Sequence, residues 1–373
     1  MSLCFLTGVS VRLRHLAVNL ALLFWATVCG AHTFDVPAVP DKDPASLPAT
    51  SWGTDGGYWI VSTYESPQSF CLQSPEFVPS VTRVECGCGH SRVCFKQMCR
   101  SLVPNVPVCI FIHGSFVSLA ENRQQAGMTH RWLRSSACGH PLQVINFIWP
   151  SSRPILIPTV KIDVNLLGRR AARNGWYLAE LIRHLPPECP VCLIGHSHGC
   201  RTVASALHLM GGGSVQGITH LAAGSDMRPI RTVFAAAAIR HDWLNPGERY
   251  GRALCSTDCL INLENRYDPA LFIYPLSNLF AGRSLGSIGF TDGDRRDLGN
   301  WSRKVQDYDV SEFIGVGHLW PRFLQDQRLA WLIRNFVYFP KCGPTAGTTA
   351  SGEQTVSETM VLPVAFPSEP ANS

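Results

Sequence analysis

The sequence predicts an α/β fold: a mostly parallel sheet with helices on both faces. Three observations carry this. From Pro107 to about 340, short apolar runs alternate with helical stretches, the pattern of strands joined by crossover helices. The run Val108-Cys109-Ile110-Phe111-Ile112 is apolar without alternation, as expected of a strand buried on both faces. The third is Val191 to Cys200, a short strand, a turn carrying Ser197 between Gly195 and Gly199, and the first turn of a helix. A serine in that turn is lifted to the end of the sheet, and the glycines let strand and helix approach closely.

The elements follow in order. Tyr58 to Tyr64 is β-rich and reads as the first strand, with Val81 to Val84 as a second. Val108–Ile112 comes next and ends in His113-Gly114-Ser115-Phe116, with a helix near 118–135 after it. Gln143 to Ile148 is a strand ending in Trp149-Pro150-Ser151. A long helix is expected over 167–185, because Leu178, Leu181, Ile182 and Leu185 share one face and Pro186-Pro187 stops it. Beyond the serine turn a helix runs from Gly199 to Met210. Ile218 to Ala223 is the expected next strand, leading to Asp226, with a helix near 230–244. Cys259 to Leu263 is a strand ending in Glu264-Asn265-Arg266-Tyr267-Asp268. Val305 to Val310 is the last strand, and a glycine-bearing loop with His318 leads to a terminal helix over 321–338.

Composition sets the outer bounds. The chain has 373 residues, 46% hydrophobic and 16% charged, with a formal charge of +5. That suits a globular enzyme-sized core. The basic residues are scattered and do not alternate with aromatics, so no nucleic-acid partner is expected. Near the N-terminus, Arg12, Arg14 and His15 precede an apolar run, Leu16 to Val28, and the small residues Cys29-Gly30-Ala31. This describes a signal peptide or a membrane anchor over 1–31 and an extracytoplasmic protein, with membrane association through this segment. Residues 32–56 carry four prolines and read as a linker. The domain is expected over 57–340, and the Thr-, Ser-, Pro- and Gly-rich 341–373 as a disordered tail.

There are 15 cysteines. Cys71, Cys86, Cys88, Cys94 and Cys99 cluster before the regular region. In an exported chain they are candidates for disulfides, of connectivity that sequence does not give. Zinc is the other reading of a cluster containing His90, but the gaps are not those of paired Cys-x-x-Cys ligands. Free thiols are the third. No metal and no cofactor is expected at the main site.

A serine hydroxyl needs a base in reach, and the base needs an orienting acid. Reactive groups gather at the carboxyl ends of the strands in such a sheet. Ser197 is therefore the candidate nucleophile, His318 the base, and Asp268 the acid, with Asp226 and Glu264 as alternative acids. His198 adjoins the serine but points elsewhere; His208, His220 and His241 lie within elements. An oxyanion needs two donors. The candidates are the backbone N–H of His198 and that of Ser115, with Phe116 second. His113 reads as a support of that loop.

With these residues in place, the chain from 107 to 340 resembles the serine hydrolases of the α/β-hydrolase superfamily, through His113-Gly114, Gly195-His196-Ser197-His198-Gly199, Asp268 and His318. More narrowly it resembles a poorly characterised bacterial branch with a Trp-Pro-Ser segment before the serine turn, here Trp149-Pro150-Ser151. An Asn-x-x-Asp segment, Asn265 to Asp268, and a Leu-Gly-x-x-Gly segment, Leu285 to Gly289, follow in that branch. The part before 107 has no counterpart in it. The resemblance implies an α/β-hydrolase fold and esterase-like chemistry on a small-molecule ester or acyl substrate. The same parts serve an acyltransferase or a peptidase, and an exported binding protein on this scaffold is the non-catalytic alternative. Loops 151–166 and 269–300, rich in Ile, Leu, Phe and Pro, are candidate lids favouring an apolar acyl group.

Overall fold

The computed structural model describes residues 57–69, 75–85, 89–152, 160–220, 224, 228–272 and 282–340. The expected leader, linker and tail, as well as Cys71, Cys86, Cys88 and Asp226, lie outside these residues. Among the described residues no helix is long and apolar enough to cross a membrane.

The strands are β1 (Tyr58–Ser62), β2 (Ser80–Glu85), β3 (Gly89–Val93), β4 (Val108–Ile112), β5 (Gln143–Ile148), β6 (Val191–His196), a short hairpin of β7 (Ser214–Val215) and β8 (Ile218–Thr219), then β9 (Ile230–Ala235), β10 (Cys259–Glu264) and β11 (Val305–Asp309). Nine of them form one sheet in the order β11-β10-β9-β6-β4-β5-β1-β2-β3. From β11 to β1 every pairing is parallel. The β2–β3 hairpin adds two antiparallel strands at the far edge. With the serine turn following the central β6 and helices on both faces, this is the α/β-hydrolase fold.

Strand periodicity divides the core into two layers, since successive side chains face opposite ways. Val108, Ile110 and Ile112 of β4 pack with Leu178, Leu181 and Ile182 of the helix Val160–His184 and with Val203 and Leu207 of the helix His198–Met210. Cys109 and Phe111 face the other way, toward Trp132 and Leu133 of the helix Leu119–Ser135 and toward the C-terminal residues Trp320, Phe323 and Val337. The helix Leu119–Ser135 starts with a capping box: Ser118 takes the Glu121 N–H and Glu121 takes the Ser118 N–H, satisfying two donors that helix starts leave open.

Three expectations are corrected. The core strand between β6 and β10 is Ile230–Ala235, not 218–223, and no helix fills 230–244; Ile218–Thr219 is only the second arm of the β7–β8 hairpin. The terminal helix is three short ones, Trp320–Phe323, Gln327–Leu332 and Arg334–Tyr338. Asp326 caps the second by accepting the Arg328 N–H, and Ile333, at φ −88° and ψ 0°, separates it from the third. Finally, Cys94 and Cys99 are free thiols. Cys94 is the N-cap of the helix Phe95–Ser101, its Sγ 3.4 Å from the Gln97 nitrogen. Five residues around a helix place the two about 140° apart, and burial pushes the Cys99 thiol up to about 11.

Candidate active site

Strand β6 delivers Ser197 at the C-terminal edge of the sheet. Its backbone sits at φ 53° and ψ −122°, on the side of φ that a residue with a Cβ rarely adopts. Strain of this kind persists only where the surroundings hold it. Here Ser197 N–H donates to Ala235 O at 3.0 Å, and Ser197 O accepts from Cys200 N–H at 3.1 Å and Ala238 N–H at 3.3 Å. The flanking glycines leave no room for side chains. A Cβ on Gly195 would lie 2.7 Å from the Cys200 backbone, and one on Gly199 would lie 2.1 Å from Ile112 O. The helix His198–Met210 then begins directly under the serine, pointing its positive dipole end at the site.

The structure brings Ser197, His318 and Asp268 together. His318 Nε2 lies 2.9 Å from Ser197 Oγ. His318 Nδ1 lies 2.7 Å from Asp268 Oδ2. The other carboxylate oxygen of Asp268 accepts the N–H groups of Ala270 and Leu271, at 2.9 and 3.2 Å, so the buried acid is fixed by the start of the following turn. Glu264, the alternative acid on β10, is turned to Arg266, at 2.7 Å.

One residue that sequence reasoning gave no role ties acid and base loops together. Asn265 is fully buried. Its Nδ2 donates to Gly315 O at 2.9 Å and Gly317 O at 3.1 Å, the loop that carries His318. Its Oδ1 accepts the Tyr267 N–H, on the way to Asp268. The signal was the Asn-x-x-Asp spacing itself. The Leu285-Gly286 segment buttresses the same region from below: Asn265 N–H donates to Gly286 O, while Leu285 N–H and Gly286 N–H donate to Ile239 O and Ala237 O.

The histidines beside the serine are structural in different ways. His196 Nε2 is 2.7 Å from the His318 carbonyl oxygen; a carbonyl only accepts, so Nε2 carries the proton. Its ring packs against Trp320 and Phe323. Burial, reinforced by His318, pushes it down to about 3. His198 Nδ1 meets Ser115 Oγ at 2.6 Å, and burial with the nearby Arg201 charge pushes this ring down to about 3. His113 accepts the Trp149 N–H on Nε2 and contacts Gly114 O through Nδ1. Burial lowers it to about 4. All three rings are neutral at pH 7.

Strand β4 supplies the facing loop. Gly114 lies against the serine, since a Cβ there would be 2.9 Å from Ser197 Cβ. The Trp149-Pro150-Ser151 segment braces this loop. Trp149 Nε1–H donates to His113 O, Ser151 Oγ–H to Val117 O, and Phe116 N–H to Ser151 O at 2.9 Å. That last bond commits the Phe116 N–H to the brace, while His198 is the first residue of the helix that follows Ser197.

No protein-family model and no curated protein matches the chain. Among solved structures, the chain is similar to esterase B of Lactobacillus rhamnosis, in a crystal structure inhibited by a C4-C4 SN3 tributyrin phosphonate. The identity is 11% and the TM-score 0.32, over 77% of this chain and 87% of that one. At that level the fold rests on strand order and the site on its own geometry.

Proposed function

We propose that the protein is a serine hydrolase that cleaves small-molecule esters through an acyl-enzyme. The single observation that carries the reading is the unbroken chain of contacts from Ser197 Oγ through His318 to the buried Asp268, at 2.9 and 2.7 Å. His318 takes the Ser197 proton as the hydroxyl attacks the ester carbonyl. The N–H groups of His198 and Ser115 receive the oxyanion. His318 then protonates the departing alcohol, and in the second half activates the water that releases the acid. Asp268 holds the ring with Nδ1 protonated, so that Nε2 is free to accept. Phe272 and Val316, 72% and 78% exposed, flank the acid and base loops, which supports an apolar acyl group. The basic residues and apolar run of the 1–31 segment support an extracytoplasmic location for this reaction.

A fluorophosphonate probe tests the reading. The wild-type protein is labelled and hydrolyses p-nitrophenyl esters, with a preference rising from acetate toward longer acyl chains. Ser197→Ala loses both. Well-folded wild-type protein that neither reacts with the probe nor turns over any ester would make the scaffold a binding protein.

A further inference from the structure

The scheme above uses only the backbone N–H groups of Ser115 and His198; their side chains form a second serine–histidine pair in the site. Ser115 Oγ and His198 Nδ1 are 2.6 Å apart, a short contact across the gap between the β4 loop and the serine turn. His198 is buried, while Ser115 is half-exposed. Which of the two gives the proton decides what the serine can do. A hydroxyl has one proton and two lone pairs. If it donates to the ring, it has no proton left to give a substrate; if the ring donates to it, its own O–H is free to donate.

The surroundings of the other ring nitrogen set the direction. Arg201 follows one turn along the same helix. Gly168, on the neighbouring helix, has no side chain, and the space a Cβ would take lies 2.4 Å from Arg201 Nη1 and 3.5 Å from His198 Nε2. The guanidinium is held there by Tyr250, whose hydroxyl accepts from Nε at 3.2 Å, and by the face of Trp243 at 4.9 Å. A cation beside Nε2 favours a lone pair on that nitrogen and so puts the ring proton on Nδ1. Burial and the Arg201 charge also keep the ring neutral, at about 3, so it carries one proton only.

We propose that Ser115 gives its side-chain hydroxyl to the oxyanion as a third donor, and that His198, oriented by Arg201, is the positioning residue that turns it there. Nδ1–H of His198 donates to Ser115 Oγ, and the Ser115 O–H points at the carbonyl oxygen that becomes charged when Ser197 attacks. Arg201 acts one step further back, through the tautomer. The inference rests on the hydrolase reading, in which Ser197 is the nucleophile.

The test uses the full-length protein with p-nitrophenyl butyrate. Ser115→Ala, a one-atom deletion at a half-exposed position, lowers kcat about 100-fold, the scale of one lost oxyanion donor, and leaves KM within about twofold. His198→Leu keeps its backbone N–H and loses a similar factor. The double variant is no slower than either single one, because both remove the same hydrogen bond to the oxyanion. Ser115→Ala with kcat within about twofold of wild type would overturn the proposal, as would losses that multiply in the double variant. Failure of the underlying reading looks different: there the wild type itself shows no Ser197-dependent labelling and no turnover.

Discussion

Lowering the pH from 7 to 5 destabilises this fold through three rings packed around Ser197. His113, His196 and His198 are buried, and burial holds them at about 4, 3 and 3 against an ordinary 6.5. In the unfolded chain each takes a proton as the pH falls below 6.5; in the folded chain each refuses it until about 3 to 4. The unfolded state therefore gains protons first, and stability falls with pH across that window. At pH 5 each ring costs about 2 kcal/mol relative to pH 7. Together they cost about 6 kcal/mol, against a net stability of roughly 5–15 kcal/mol for a typical domain. The window lies above the range where ordinary carboxylates protonate, which isolates the histidines. Urea unfolding followed by tryptophan fluorescence at half-unit steps of pH reads the effect. Burial also lowers His130 to about 4 and lowers His208, and these rings add to the same slope, so His196→Gln, which removes one titrating ring, reduces the slope of stability against pH by about a quarter or less, whatever the variant does to the absolute value. A stability at pH 5 within about 1 kcal/mol of that at pH 7 would refute the reasoning.

Two further outcomes follow from the site. Asn265→Ala frees the carbonyls of Gly315 and Gly317 and loosens the loop that presents His318; kcat for p-nitrophenyl butyrate falls about 10- to 100-fold while labelling of Ser197 slows without disappearing, since misplaced catalytic groups cost about that much. Gly199→Ala places a Cβ 2.1 Å from Ile112 O and 2.7 Å from His113 O; relief needs a backbone shift of β4 against the helix, so the melting temperature falls by an amount matching about 2–3 kcal/mol, measured by calorimetry.

Much of this arrangement was legible from the chain. Apolar runs without alternation announced the buried parallel strands, and the strand ends then offered a short menu of reactive residues. Ser197, Asp268 and His318 were on it because each follows a strand. What the menu did not contain was the support. Asn265 holds two loops through a side chain that contacts residues about fifty positions away; the Asn-x-x-Asp spacing pointed to the residue but not to those partners. Sequence set His318 apart as the base, but it did not give the partners of the histidines in the turn. His196, Ser197 and His198 are consecutive, yet the turn sends the three side chains to different neighbours: a carbonyl of the base loop, the base itself, and the hydroxyl of Ser115.

The misplaced strand shows why local propensity fails beside such a turn. Ala235, Ala236, Ala237 and Ala238 invite a helix, because alanine ranks first among helix formers. Their smallness has another cause. The end of β9 lies under the serine turn: Ala235 O accepts the Ser197 N–H and Ala238 N–H donates to Ser197 O. From the other side Gly286 N–H reaches Ala237 O. All four alanines are buried, and a larger side chain pressed between these two backbones would push on the nucleophile itself. The alanines are there to let three segments close on one another, a tertiary requirement that reads as a helical one when the chain is taken alone. Moving the strand to Ile230–Ala235 also removes the reason for looking to 226 for an acid. The strand that leads to the acid is then β10, and the carboxylate that meets His318 is the one five residues past its last leucine.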